Sequence, residues 1–112
     1  MDRQHALFED LPVDLQQRAV DLHESGVAEI AYRVADADAV LRTIADRAWA
    51  LLGGDLWELT AQGPKPTGDN WYVDEQKSES DEAFASRGQA AARLFVRRAG
   101  SSPDYLLTFV LR

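Results

Sequence analysis

The sequence predicts an α+β domain, with a small, mostly antiparallel sheet packed against about three helices. Three observations predict it. Leaving aside an uncertain segment at Val27, the elements read helix, helix, strand, strand, helix, strand, without a regular βαβ alternation. A capped amphipathic stretch begins at Ser80, and an apolar run from Tyr105 to Leu111 reads as a buried final strand. At 112 residues the chain is expected to be a single domain, 1–112, with one modest core.

The first helix is expected from Leu11 to Glu24. Asp10 can cap it, Pro12 is tolerated in its first turn, and Leu11, Leu15, Ala19 and Leu22 share one face. Gly26 can stop it in a left-handed conformation. In Val27 to Val34 the alternate residues Ala28, Ile30, Tyr32 and Val34 are all apolar, so a short strand or extended connection fits. The second helix starts near Asp36 or Asp38, with Ala37, Leu41, Ile44 and Ala48 at helical spacing. Periodicity alone leaves its end open. The helix either runs on to Gly53-Gly54 or ends near Arg47, with both glycines then inside a strand at a bulge or a close backbone approach.

Pro64 and Pro66 cannot donate to a sheet ladder, so the segment after Gln62-Gly63 should begin at an edge or be irregular. Asn70 to Asp74 has strand composition. Ser80 is a good N-cap for a third helix ending near Arg97, and Asp81 and Glu82 suit its dipole. Phe84, Gly88, Ala91, Ala92 and Phe95 make one face, small enough at its centre for a sheet backbone to come close. Gly100 and Pro103 end that helix.

Composition excludes several functions. Without cysteine there is no disulfide framework, thiolate metal site or cysteine nucleophile, and a reducing cytoplasm is the expected location. The opening MDRQHALFED lacks a basic segment followed by an apolar run, so no secretory signal is expected, and no apolar stretch is long enough for a membrane span. A net charge of −7 argues against nucleic acid and favours either a basic protein partner or simply solubility, the more common reason for an acidic globular domain. Asp55 to Glu82 carries eight acidic residues against Lys65 and Lys77, whereas Ala83 to Arg112 has five arginines against Asp104, so the middle of the chain is its acidic part.

No catalytic or cofactor motif emerges. His5 and His23 have no partner at ligand spacing, so no metal is expected. The carboxylate groups Asp36/Asp38, Asp74/Glu75 and Glu79/Asp81/Glu82 sit beside caps and polar residues, where they should be solvated rather than shifted for acid–base work. A deep pocket around Asp74 and Glu75 would be needed to revive catalysis. Gly53-Gly54 is followed by Asp55 rather than by the lysine and hydroxyl residue of a phosphate loop. Aromatic residues remain. Trp57 and Leu59 should share one strand face, while Trp71 and Tyr72 must point apart. One of that last pair can lie exposed among Asp69, Asp74 and Glu75, an arrangement suited to holding an arginine or amine of a partner.

LLGGDLWEL, a short turn, PTGDNWYVD, a capped amphipathic helix and the strand YLLTFVL together resemble the immunity protein 40 family of bacterial polymorphic toxin systems. The residues carrying the resemblance are Leu52 to Trp57, then Pro66, Thr67, Asp69 to Tyr72 and Asp74, with Ser86, Ala90 and the last strand. It spans roughly Gly26 to Leu111. Gly68 and Val73 depart from the pattern. The resemblance implies that the second helix ends near Arg47 and that LLGGDLW is extended. It also implies a cytoplasmic, non-enzymatic protein without cofactor that binds and blocks a cognate toxin, and the acidic charge suits a basic toxin, for example a nuclease. Asp55, Trp57, Asp69, Trp71, Tyr72, Asp74 and Glu75 are the expected interface or its scaffold. A small acidic adaptor unrelated to toxins is the alternative.

Overall fold

The computed structural model describes residues 2–112. The chain opens with α1 (Arg3–Asp10), capped by the Asp2 carboxylate, which accepts from the His5 N–H at 2.9 Å. Leu11 is extended, and Pro12 precedes α2 (Val13–Arg18). The single helix expected over Leu11 to Glu24 is therefore replaced by the short helix α2, a two-residue strand and a 3-10 turn. Ala19 is extended and leads into β1 (Val20–Asp21), and Gly26, at φ 83°, closes only a 3-10 turn over His23–Ser25. Leu11, Leu15 and Leu22 are all buried, which is why they mimic one helical face. Leu11 and Leu15 enter the main core, whereas Leu22 joins a second cluster on the other side of the sheet. Asp10 pairs with Arg47 instead of capping.

β2 (Ile30–Arg33) lies within the expected segment. A 3-10 turn over Val34–Asp36 leads into α3 (Ala37–Asp46), which buries Val40, Leu41 and Ile44. The helix ends near Arg47, as the resemblance implies. β3 (Leu51–Thr60) contains both glycines, and its register shifts twice, between Leu51 and Gly53 and between Asp55 and Trp57. Each glycine is fixed by close backbone approach. A Cβ at Gly53 would meet the Trp71 carbonyl at 2.5 Å, and one at Gly54 would meet the Thr108 carbonyl at 2.5 Å.

β4 (Gly63–Tyr72) is longer than the expected strand and stops before Asp74. It lies at the sheet edge, where Pro64 and Pro66 remove no ladder bond from the interior. α4 (Asp81–Ala99) starts at Ser80, whose Oγ accepts from the Ala83 N–H at 3.1 Å. The small centre of this helix does what its sequence implies, since Gly88 lies so near β3 that a Cβ would meet the Leu51 carbonyl at 2.7 Å. β5 (Tyr105–Leu111) is the middle strand, not wholly buried as expected, because Val110 is 40% exposed.

The sheet is antiparallel throughout, in the order β1-β2-β5-β3-β4. Its two faces differ. One packs Tyr32, Leu56, Leu107 and Phe109 against Leu7, Val40, Ile44 and Ala92 of the helices. Burial there stabilises by about 1.5–3 kcal/mol for each large apolar side chain. The other face is covered only at one end, where Leu22, Ala31, Trp57 and Leu106 form the smaller cluster. Thr108 beyond it is also buried, and the face opens at Tyr72 and Val110.

Candidate functional site

Alternation along β4 sends neighbouring aromatics to opposite faces. Trp71 turns to the helices, its ring 6.5 Å from that of Phe95. Tyr72 turns to the open face and is 74% exposed. The register places Tyr72, Gly53 and Val110 in one cross-strand row, followed by Asn70, Asp55 and Thr108 in the next. Trp57 comes next on the same face, 8% exposed, its indole N–H donating to Thr108 Oγ1 at 3.2 Å. The result is a shallow apolar patch of Tyr72 and Val110 over bare glycine, bordered by the carboxylate of Asp55.

Glu29, just before β2, adds to that border. Its carboxyl is raised above the ordinary range chiefly by partial burial and then by the Asp55 carboxylate, with a Thr108 hydrogen bond opposing the shift. One of its oxygens, Oε2, is buried without a hydrogen-bond partner.

The remaining expected residues lie elsewhere. Trp71 is on the helix face. Asp69 sits at the irregular stretch of β4, its N–H donating to Thr67 Oγ1 at 3.1 Å, beside Phe95 and Arg98. Asp74 and Glu75 follow the strand and run toward the start of α4. The Asp74 carbonyl accepts from Arg87 at 2.5 Å, and the Glu75 carboxylate pairs with Arg112 at 3.0 Å. Thus Asp55 and Tyr72 come together above Trp57, while Trp71, Asp69, Asp74 and Glu75 surround the patch without belonging to it.

Several carboxylates expected to be solvated are held by arginines: besides Glu75, Asp38 pairs with Arg42 and Arg93, each at 2.7 Å. Asp36 pairs with Arg18 at 2.8 Å, and Glu79 pairs with Arg87 at 2.8 Å. The Arg87 hydrogen bonds, then the Gln76 N–H, hold the Glu79 carboxyl down at about 2. Neither Asp74 nor Glu75 is buried; both are exposed, unlike the sheltered acid that general catalysis needs. His5 sits in an exposed contact with Glu9 at 2.9 Å, and among the described residues no group of three or more His, Asp or Glu could hold a metal ion. No helix among these residues is long and apolar enough to cross a membrane.

Val110 and Glu29 escaped the sequence reading. The alternation of Leu106, Thr108 and Val110 places all three on one face, so Val110 had a signal. Glu29 had none, because its position depends on the β1–β2 connection, where the Leu22 N–H donates to the Glu29 carbonyl at 3.0 Å.

A family model described as immunity protein 40 matches residues 21–111, which takes in β2 to β5, α3 and α4. The chain belongs to the immunity protein 40 family. Neither the curated proteins nor the solved structures contain a match. Membership supports a toxin-immunity role and a non-enzymatic one. In this immunity protein 40 chain the matched segment begins at Asp21, after α1 and α2. The open face, built wholly from β3, β4, β5 and the approach to β2, lies inside the matched segment.

Proposed function

We propose that this chain binds and neutralises a cognate toxin domain of a polymorphic toxin system, acting in the cytoplasm, and that the toxin is basic, a nuclease being one such case. The observation that carries the reading is the open row of the sheet, with Tyr72 74% exposed beside Asp55 in a chain of an immunity family. An exposed tyrosine supplies a rigid contact of large area, and Asp55 and Glu29 attract a lysine or arginine seated against its ring. Trp57 serves as scaffold at the covered end of the face, and Trp71 beneath it. Asp69, Asp74 and Glu75 act from the rim, where charges govern encounter rate more than residence time. The net charge of −7 speeds approach of a basic partner.

The test is co-expression with the toxin domain encoded by the neighbouring gene. Protection of the host cells and a complex on gel filtration are expected. Loss of both overturns the proposal and favours the acidic adaptor, which predicts a different bound partner.

A further inference from the structure

β4 is the outer strand of the sheet, so one side of its backbone has no neighbouring strand. Its two halves are unequal. The first carries Pro64, Lys65 and Pro66, residues that block pairing at an edge. The second, Gly68 to Tyr72, has neither proline nor lysine.

The register says which backbone groups there are free. The Val73 N–H donates to the Leu52 carbonyl directly opposite it at 2.9 Å. In an antiparallel ladder the mutually bonded pairs alternate, so the Gly54–Trp71 pair is bonded, whereas Gly53–Tyr72 and Asp55–Asn70 are not. The N–H and C=O groups of Asn70 and Tyr72 therefore point away from β3. They form a two-rung template at the end of the edge where the open face begins.

From this edge we infer that the chain captures an extended segment of its toxin by strand addition along Asn70–Tyr72, the segment carrying lysine or arginine at alternate positions. The inference rests on the immunity reading and specifies how the partner docks. Charge selects the occupant. A strand added here sets alternate side chains beside Asn70 and Tyr72 on one face, with the Asp55 carboxylate one strand further in, and beside Asp69 on the other, so a long basic side chain has a carboxylate within reach on each face. A second copy pairing through the same edge would bring these carboxylates against their own kind, which a basic segment does not.

The test is amide hydrogen exchange by NMR on the full chain, alone and with the toxin domain of the neighbouring gene. In the complex the Asn70 and Tyr72 amides should exchange about ten-fold more slowly or better, while that of Trp71, already bonded to β3, changes less. Unchanged exchange at both amides in a complex that does form overturns strand addition and leaves the immunity reading standing. Failure to form any complex with that toxin overturns both. Slow exchange of the two amides in the free chain, with elution as a dimer, replaces the toxin segment by a second copy and so overturns the inference. Asn70→Pro removes an outward donor without touching the β3 ladder, so its melting temperature should stay near wild type. Its complex should be weaker by about five-fold, the worth of one hydrogen bond. Wild-type affinity overturns the inference, and if the variant does not fold, the exchange measurement on the wild-type chain decides alone.

Discussion

Trp71 sets its ring 6.5 Å from that of Phe95, tilted by 41°, and so ties the edge strand to the long helix. The same indole places Nε1 within 2.7 Å of where a Cβ on Gly54 would lie. β4, β3 and α4 are thus locked through one side chain. Trp71→Ala should destabilise the fold by about 2–4 kcal/mol, as removal of a large packed aromatic does. Urea unfolding would measure it. A loss under about 1 kcal/mol would mean that α4 and the rest of the sheet hold β4 without it.

Gly54 is the counterpart. A methyl group there meets the Thr108 carbonyl at 2.5 Å, a backbone atom that cannot rotate away. Gly54→Ala should cost about 1–3 kcal/mol through strain, read as a lower melting temperature. The effect should shrink in a Trp71→Phe background, where the indole nitrogen no longer crowds the site, although the carbonyl clash persists.

Tyr72 should behave in the opposite way. It is exposed and supports nothing beneath it, so Tyr72→Ala should shift stability by no more than about 0.5 kcal/mol. Binding to the cognate toxin should weaken by about 2 kcal/mol or more, as for other exposed aromatic anchors. Titration calorimetry separates the two effects. Equal toxin affinity in the variant would remove Tyr72 from the interface.

These contrasts show what sequence can deliver. Alternation required Trp71 and Tyr72 to diverge, but only the position of α4 decides which one is covered, and that is a long-range contact. The α+β class, the α4 cap at Ser80 and the edge position implied by Pro64 and Pro66 rest on local chemistry, and all three were legible. The first helix was not, because Leu22 keeps helical spacing with Leu11 and Leu15 while being buried on the other side of the sheet. The end of α3 was undecidable from periodicity. The glycines that settle it are explained by Trp71 and Thr108, distant in sequence. For the candidate site, Asp55 and Tyr72 could be singled out early, whereas Glu29 depends on tertiary placement.

The loop after β4 should come loose in acid. Glu79 accepts from Arg87 at 2.8 and 2.9 Å and from the Gln76 N–H at 3.0 Å, joining the loop to α4. Its carboxyl is lowered from an ordinary 4.5 to about 2 in the folded chain. A lowered carboxyl contributes stability that is fully present above the unfolded value and is lost as pH falls through the folded one. The loss should therefore run from about pH 4.5 down to about 2. Glu79→Gln should melt at a lower temperature at neutral pH and converge with wild type at the acid end. Parallel melting curves across that window would show that the pair adds nothing.

Glu29 has the opposite sign. Its carboxyl is raised, mainly by partial burial and secondly by Asp55, with the Thr108 hydroxyl opposing the shift. A raised carboxyl holds its proton more tightly in the folded chain than in the unfolded one. Stability is therefore lost as pH rises from the ordinary value of 4.5 through the higher folded value, and at neutral pH the charged group is a cost. Glu29→Gln keeps the shape and the Thr108 contact while removing that charge. It should raise the melting temperature at neutral pH, and the gain should vanish below about pH 4, where both side chains are neutral. The same variant should bind a basic toxin more weakly, because it removes the carboxylate that adds to the charge of Asp55 on the open face. A chain that becomes more stable and yet binds less well would mark Glu29 as a residue kept for its partner at the expense of the fold. Gains in both, or no change in either, would confine it to a surface role.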